Sequence, residues 1–265
     1  MSLSVLMSIY HKEKVEYLEQ CFISIYDEQT IKPDEIVLVK DGKLTKELDD
    51  TIEKWQEKLK DILKTVPLEN NVGLAKALNE GIEHCTCEYI ARMDTDDISL
   101  PNRFKQQLSF FELNDIDMCS GNAILIDNNS NIVGKKSISN EVSHQSLLKN
   151  CDVIHPASMF KKDFFIKYGK YNPEFKKSQD YELWLRASKN GAKIKNIDEA
   201  LIKFRISDDL IIRRKNEQKY NMMIKKEYLS GLKYYMAILP NILILVLPVF
   251  VLDILLKIKN KAKDE

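Results

Sequence analysis

Residues 88–104, "EYIARMDTDDISLPNRF", combine the pattern of a buried strand with a crowded acidic loop. The apolar run "EYIARM" predicts a strand covered on both faces, and aspartates at positions 94, 96 and 97 follow it directly. Carboxylates this close together repel one another unless they share a positive group, and a hard divalent cation is the usual partner. The stretch therefore predicts a metal-binding loop at the carboxyl end of a strand.

The sequence before this stretch alternates between strand and helix patterns. "LSVLMSI" and "DEIVLVK" predict strands around a helix at 13–28, a second helix covers 45–61, "DILKTVPL" predicts another strand, and "NVGLAKALNEGIEHC" predicts a helix. This alternation predicts a parallel sheet with helices on both faces. Ligands of such sheets bind beyond the carboxyl ends of the strands, where Asp41 and the 94–97 loop both fall.

The alternation weakens after residue 105, and a mixed sheet is expected there. A helix is predicted at 102–113, a hairpin with turn signals at "DNNSN" within 117–136, and a short helix at 142–149. "SQDYELWLRASKNG" predicts a helix that ends at Gly191 and carries Asp180 in its first turn.

The composition excludes several classes of protein. Forty basic residues balance forty acidic ones, so no overall field attracts nucleic acid, and nucleic acid is not an expected partner. Five cysteines, an odd number, have spacings that suit neither a disulfide framework nor a zinc site. The N-terminal "MSLSVLMSIYHK" lacks the basic region of a signal peptide, so we expect the catalytic part in the cytoplasm.

Residues 234–252, "YYMAILPNILILVLPVFVL", carry no charge over nineteen positions and have lysines on both sides. The length just reaches what a bilayer crossing requires, but Pro240, Asn241 and Pro248 interrupt it. A spanning helix also usually shows basic bias on one side only. We expect a re-entrant or interfacial anchor, with a spanning helix and a buried pair of core helices as the alternatives.

Six segments in this order resemble the family 2 inverting glycosyltransferases with the GT-A fold: "SVLMSIY", "EIVLVKDG", "NVGLAKALNEGI", "YIARMDTDDISLPNRF", "HPASMF" and "QDYELWLRASKNG". The likeness covers residues 1–206 and is greatest to small bacterial enzymes that build O-antigen or capsule repeat units. It implies an α/β GT-A domain, with a Rossmann-like nucleotide-binding half at 1–100 and a mixed acceptor-binding sheet at 101–206. Residues 207–265 would form a basic helix and an apolar tail of membrane-associating helices.

The resemblance also implies a donor site. Asp94-Thr95-Asp96 would be the DXD motif, with Asp96 bound to the Mn²⁺ or Mg²⁺ that bridges the diphosphate of a UDP-sugar and Asp94 facing the ribose or a metal-bound water. Asp41 would contact the base, and Tyr10 would line the same pocket. The two aspartates suit this role, because two carboxylates, together with waters and phosphate oxygens, commonly hold Mn²⁺ or Mg²⁺.

Other donor-side residues have structural alternatives. Asn71 and Gly73 match a segment near the nucleotide, and helix capping or turn formation explains them equally well. Asp97 could cap a helix that begins near Pro101.

Displacement of a nucleoside diphosphate needs a base that takes the proton of the acceptor hydroxyl. The resemblance implies that Asp180 is this base; its alternative role is a helix N-terminal charge worth ~0.3–1 kcal/mol. His155 and Trp184 are implied on the acceptor side, His155 in a supporting role. The helical spacing of Trp184 also fits core packing.

The chain departs from the family pattern at Arg205, because relatives often carry a histidine two positions later and this chain has Ser207. Arg205, with Arg213 and Arg214, would compensate electrostatically for the missing histidine near the diphosphate. A solvated basic face or a patch for anionic lipid is the alternative role of these arginines. The Gln-x-x-Arg-Trp signature of processive members is absent, which predicts transfer of a single sugar.

The implied function is transfer of one sugar from a UDP-sugar to a polyprenyl-diphosphate-linked saccharide. The reaction would take place at the cytoplasmic face of the bacterial inner membrane, which the protein would contact through residues 234–256 as a peripheral or monotopic protein. A non-catalytic nucleotide-sugar-binding or scaffolding subunit is the alternative. Phosphoryl transfer at the aspartates is a second rival, and it explains neither Asp180 nor the tail.

Overall fold

The strands form one mixed sheet in a computed structural model that describes residues 1–207, 210–249 and 251–252. Within these residues the sheet has ten strands: β1 (Leu3–Ile9), β2 (Glu35–Lys40), β3 (Leu63–Pro67), β4 (Tyr89–Arg92), β5 (Ile98–Ser99), β6 (Met118–Ile126), β7 (Ile132–Lys136), β8 (Glu141–Val142), β9 (Met159–Lys161) and β10 (Ile194–Arg205). Their order in the sheet is β3-β2-β1-β4-β9-β6-β10-β5, with β7 added to β6 and β8 to β10.

Helices cover both faces of the sheet and confirm the predicted βαβ alternation. The first helix continues as a π-helix over Ile23–Asp27, so the helix predicted at 13–28 is found nearly complete. The α-helices are α1 (Val15–Phe22), α2 (Lys46–Leu59), α3 (Leu74–His84), α4 (Arg103–Leu113), α5 (His144–Lys149), α6 (Asp163–Tyr168), α7 (Gln179–Lys189), α8 (Leu210–Tyr228) and α9 (Gly231–Val246).

The first half of the chain forms the parallel part of the sheet, as predicted. Strands β3, β2, β1 and β4 are parallel neighbours, and the register pairs Ile9 with Lys40 and Leu6 with Arg92. Their runs of apolar residues are buried on both faces, by α1 and α2 on one side and α3 on the other. Because β1, β2 and β4 run in the same direction, the loops after them meet at one edge of the sheet.

The second half forms the mixed part of the sheet. Strand β9 lies antiparallel between β4 and β6, and β10 pairs parallel with β6. The sequence did not predict β10, because the charged pair Asp198-Glu199 falls at an irregularity in its register and breaks the apolar pattern. This strand matters for the site, since its last residue is Arg205.

The predicted tail contains two packed helices, α8 and α9. Ile224 of α8 is fully buried against the domain, whereas most large side chains of α9 are exposed. Among the described residues, none of the helices combines the length and apolarity that a bilayer crossing requires. Residues 250 and 253–256 of the segment predicted to contact a membrane lie outside the described part of the chain.

Candidate active site

Three aspartate carboxylates meet directly after β4, at the edge predicted from sequence. One oxygen each of Asp94, Asp96 and Asp97 lies within 4.8 Å of the others. The Oδ1 atom of buried Asp97 accepts a hydrogen bond from the backbone N–H of Arg205 at 2.7 Å, and its Oδ2 atom has no hydrogen-bond partner among the described residues. Asp97 therefore does not cap α4, which begins at Arg103.

Burial of this cluster makes it hard for all three groups to be ionised together. Burial, followed by the charges of Asp94 and Glu13, raises the pKa of Asp96 to about 7. Burial and the charge of Asp96 raise the pKa of Asp97 well above its ordinary value. A divalent cation would remove this repulsion and satisfy the open oxygen of Asp97, so the donor set fits Mg²⁺ or Mn²⁺.

Two buried arginines that sequence analysis did not single out support the acidic loop. The Nη2 atom of Arg92, at the end of β4, forms an ion pair with Oδ1 of Asp94 at 2.5 Å. Arg103 donates from Nη2 to the backbone oxygen of Arg92 at 2.7 Å. The sequence signal was a pair of arginines flanking an acidic loop inside apolar segments, which is unusual because charged groups are rarely buried unless paired.

Arg205, the last residue of β10, supports the acidic loop through hydrogen bonds. Its Nε atom donates to the backbone oxygen of Asp96 at 2.8 Å, and its guanidinium carbon lies 4.0 Å from the ring centre of Tyr17. Its Nη1 and Nη2 atoms donate to the backbone oxygen of Asp127 and to Gln20 Oε1, both at 2.9 Å. The predicted role of Arg205 was to supply positive charge near the diphosphate. In the structure its nitrogens are engaged by protein groups and the side chain is buried, which favours a supporting role for the acidic loop.

Asp41, Asn71 and Gly73 come together where β2 ends. The Oδ1 and Oδ2 atoms of Asp41 accept hydrogen bonds from the backbone N–H groups of Val72 at 2.7 Å and Gly73 at 3.1 Å. Asn71 Nδ2 donates to the backbone oxygen of Asp41 at 3.2 Å. These contacts tie the loop before α3 to the end of β2.

A cleft of about 360 Å³ opens beside these residues and is lined by His11, Asp41, Gly42, Lys43, Glu69, Asn70 and Asn71. Tyr10 is about half exposed where β1 ends, and its ring meets that of His11 edge-on, with 5.7 Å between the centroids. His11 was not among the residues predicted from the sequence, although its position directly after Tyr10 at a strand exit was a usable signal.

Asp180 is the second residue of α7, so its carboxylate lies at the helix N-terminus, and backbone N–H groups of the first turn bind it. Burial nevertheless raises its pKa, an effect that the charges of Arg92 and Lys136 partly oppose. Arg92 thus acts on Asp180 as well as on Asp94, which places Asp180 and the acidic cluster in one electrostatic environment.

Trp184 and His155, the two residues predicted on the acceptor side, are both buried. Trp184 is fully buried and stacks on Phe160 with 5.7 Å between ring centroids, so the prediction that it contacts an acceptor sugar is wrong. His155 is also buried, and its Nε2 atom lies 2.8 Å from the hydroxyl of Tyr171. Burial and the charge of Arg92 lower the pKa of His155 well below its ordinary value, so the ring is neutral. This packing does not favour acceptor contact by His155.

The family model and the relatives that match this chain are all described as glycosyltransferases. The family model described as "Glycosyl transferase family 2" matches residues 4–169. The chain is 39% identical over 214 residues to "Amylovoran biosynthesis glycosyltransferase AmsE" of Erwinia amylovora, covering 80% of this chain and 79% of that protein. It is 36% identical over 231 residues to an Escherichia coli "UDP-Gal:alpha-D-GlcNAc-diphosphoundecaprenol beta-1,3-galactosyltransferase", covering 85% and 82%.

Solved structures share the fold. A mannosyltransferase, PcManGT from Pyrobaculum calidifontis in complex with GDP-Man and Mn²⁺, superposes with a TM-score of 0.68 at 15% identity, covering 92% of this chain and 71% of that one. The predicted mixed α/β GT-A fold is thereby confirmed for the globular part.

Proposed function

The chain belongs to glycosyl transferase family 2, and on this premise we propose that it is an inverting enzyme that moves one sugar from a UDP-sugar to a saccharide carried on polyprenyl diphosphate. The observation that carries the proposal is the cluster of Asp94, Asp96 and Asp97 at the sheet edge that also carries Asp41. In this proposal residues 1–100 bind the donor and 101–206 bind the acceptor.

The donor nucleotide would occupy the cleft beside Asp41, with His11 on its wall and Tyr10 packed against His11. Asp94 and Asp96 would hold Mn²⁺ or Mg²⁺, which when bound neutralises negative charge on the leaving diphosphate. Arg92 fixes the orientation of the Asp94 carboxylate through their ion pair, and Arg205 holds the backbone of the same loop. The protein thus presents a pre-formed acidic site to the donor.

Asp180 would take the proton from the attacking hydroxyl of the acceptor. A general base works best when its pKa approaches the working pH, and burial raises the pKa of Asp180 in that direction. The charges of Arg92 and Lys136 oppose the shift and keep the ionised form accessible. Attack from the side opposite the leaving group would convert an α-linked donor into a β-linked product.

The acceptor class follows from the relatives. The name of one states an acceptor on diphosphoundecaprenol, and two others are named for amylovoran and O-antigen biosynthesis. A lipid-linked saccharide places the reaction at a membrane surface, and we propose the cytoplasmic face. A single transfer per acceptor is expected, because the chain lacks the processive signature.

Substitution of the proposed base tests the mechanism. We expect Asp180→Asn to lower the rate of sugar transfer by about 10²–10⁴-fold, because the hydroxyl keeps its proton, while UDP binding is retained. Transfer from a labelled UDP-sugar and UDP titration calorimetry measure the two effects. Asp163→Asn, the same change in the first turn of α6, is the matched control. Parallel loss of binding and transfer in Asp180→Asn would show a structural role instead.

Nucleotide binding tests the donor and metal assignments. We expect the protein to bind UDP more tightly than GDP or dTDP when Mn²⁺ is present, and Asp96→Ala to lose the effect of the metal. Asp115→Ala, at an exposed carboxylate, should bind like the wild type. Binding by the wild type that does not respond to the metal would contradict the proposed role of the cluster.

A further inference from the structure

One side of α9 is apolar and faces solvent. Its large side chains on that side are between 40% and 75% exposed: Leu232, Tyr235, Met236, Leu239, Ile242, Leu243 and Val246. They recur every three or four positions, so they form one continuous face about 120° wide at 100° per residue. We call these seven residues the outward face. It contains no charged residue, and Lys233 lies beside it.

The opposite side of α9 faces protein and contains buried Ile238 and one buried polar side chain, Asn241. Asn241 is buried, and its Nδ2 atom donates to Gln218 Oε1 of α8 at 2.7 Å. Lys225 Nζ donates to Asn241 Oδ1 and to the backbone oxygen of Ala237, both at 2.9 Å. Rotation of α9 that buried the outward face would break these bonds and leave buried polar groups unpaired, which is costly. The inward polar contacts therefore hold the apolar face outward.

Helices α8 and α9 together carry a net positive charge, although the whole chain has no net charge. Residues 210–246 contain seven basic and two acidic residues, whereas the complete chain has forty of each. The side chains of Lys219, Lys226 and Lys233 are exposed. A helix pair with an exposed apolar face and an excess of basic residues is complementary to an anionic lipid surface, where lysines meet headgroups and apolar side chains reach the acyl boundary.

The helix α8 connects this face to the candidate active site. It begins five residues after Arg205, whose guanidinium contacts the acidic loop. Further along α8, Glu217 lies close enough to Asp180 for the aspartate charge to act on it.

We propose that the outward face of α9 inserts into the headgroup region of an anionic bilayer leaflet, so that the protein lies on the membrane that carries its acceptor. The inference rests on the proposed function for its acceptor and names the surface and the residues that meet the lipid. A helix with one side packed on protein and the other side apolar is suited to lie in the plane of the interface.

Flotation of the full-length protein with vesicles tests the inference. We expect the wild type to float with phosphatidylglycerol–phosphatidylethanolamine vesicles and far less with vesicles of phosphatidylcholine alone. The double variant Leu239→Glu/Leu243→Glu should reduce the floated fraction by about tenfold or more, because two charges would enter the apolar boundary. Ile166→Glu, the same type of change at an exposed residue of α6, is the matched control and should float like the wild type.

Vesicle flotation tests membrane binding independently of sugar transfer. Flotation needs no turnover, so Asp180→Asn should float like the wild type even if it transfers no sugar. Thermal unfolding midpoints establish that the double variant is folded. Undiminished flotation of a folded double variant would overturn the inference. So would a wild type that forms dimers, does not float, and becomes monomeric in the double variant, because the face would then join two copies of the chain.

Discussion

Arg92 and the aspartates that follow it illustrate how single residues prepare this site. A buried guanidinium is costly unless it is paired, and removal of one partner of a buried ion pair typically costs about 3–5 kcal/mol. Arg92 pairs with Asp94, while its Nε and Nη1 atoms have no hydrogen-bond partner among the described residues. The arginine therefore positions Asp94 and keeps a positive charge under the loop where the diphosphate is expected.

The pKa of Asp96 predicts how the metal-free protein responds to pH. In the folded state this pKa is about 7, above the ordinary 3.8, because of burial and the charge of Asp94. A proton bound more tightly in the folded state stabilises the fold at low pH, and this contribution disappears as the pH rises through the folded pKa. We expect the unfolding free energy of the wild type in EDTA, relative to Asp96→Asn, to fall as the pH rises from 3.8 to about 7.

Urea unfolding at a series of pH values measures this difference. Addition of Mn²⁺ at pH above 7 should restore the stability of the wild type, because the cation replaces the proton among the carboxylates, and should do less for Asp96→Asn. A difference between the two proteins that stays constant over the whole pH range would contradict the prediction.

At the scale of elements, the loop after β2 and the loop before α3 depend on a close backbone approach. Gly42 has a φ of +83°, and a Cβ atom there would lie 2.7 Å from the backbone nitrogen of Asn71. The first loop carries Asp41, the second binds it through Asn71 and the two residues that follow, and both line the cleft. A side chain at position 42 would separate them.

We expect Gly42→Ala to lower the unfolding free energy by about 1–3 kcal/mol from backbone strain, with a further loss from the clash, and to weaken UDP binding. Gly191→Ala is the matched control, because Gly191 has a φ of +88° and a Cβ atom there would meet no neighbouring group of the described chain within 4 Å. Chemical denaturation of both variants separates the two effects. Equal destabilisation in Gly42→Ala and Gly191→Ala would show that the approach to Asn71 is unimportant.

At the scale of the whole molecule, α8 belongs to the domain and α9 is an appendage on it. Ile224 of α8 is fully buried in the core, and Tyr220 and Tyr228 pack against the same cluster. The contacts of α9 are made chiefly with α8. Helix α8 thus packs on the core of the domain, although it follows the proposed GT-A domain of residues 1–206.

Two truncations distinguish these roles. A chain that ends at Ser230 loses α9, and one that ends at Ser207 also loses α8. We expect the second to unfold at a clearly lower temperature than the first, because loss of a large buried aliphatic side chain alone typically costs about 2–5 kcal/mol. Circular dichroism during heating measures both midpoints. Equal midpoints would mean that α8 does not stabilise the domain.

The amino-acid sequence by itself determined the βαβ half of the fold and the position of the acidic loop. Strands β1, β2 and β4 and helices α1 to α3 follow from hydrophobic periodicity, which is a local property of the chain. The strand-end rule then placed Asp41 and the three aspartates at one edge. The mixed character of the second half was also predictable, but β10 was not, because charged residues at its irregular register hide the pattern.

Only the tertiary structure decided what several individual side chains do. The bond from the backbone of Arg205 to Asp97 joins positions 108 residues apart, so no local pattern could show that Arg205 supports the loop. The full burial of Trp184, which argues against contact with an acceptor sugar, likewise depends on packing between distant segments. Periodicity is written along the chain, whereas burial and long-range hydrogen bonds exist only after distant segments pack together. The direction of the apolar face of α9 was decided in the same way, by polar contacts with α8.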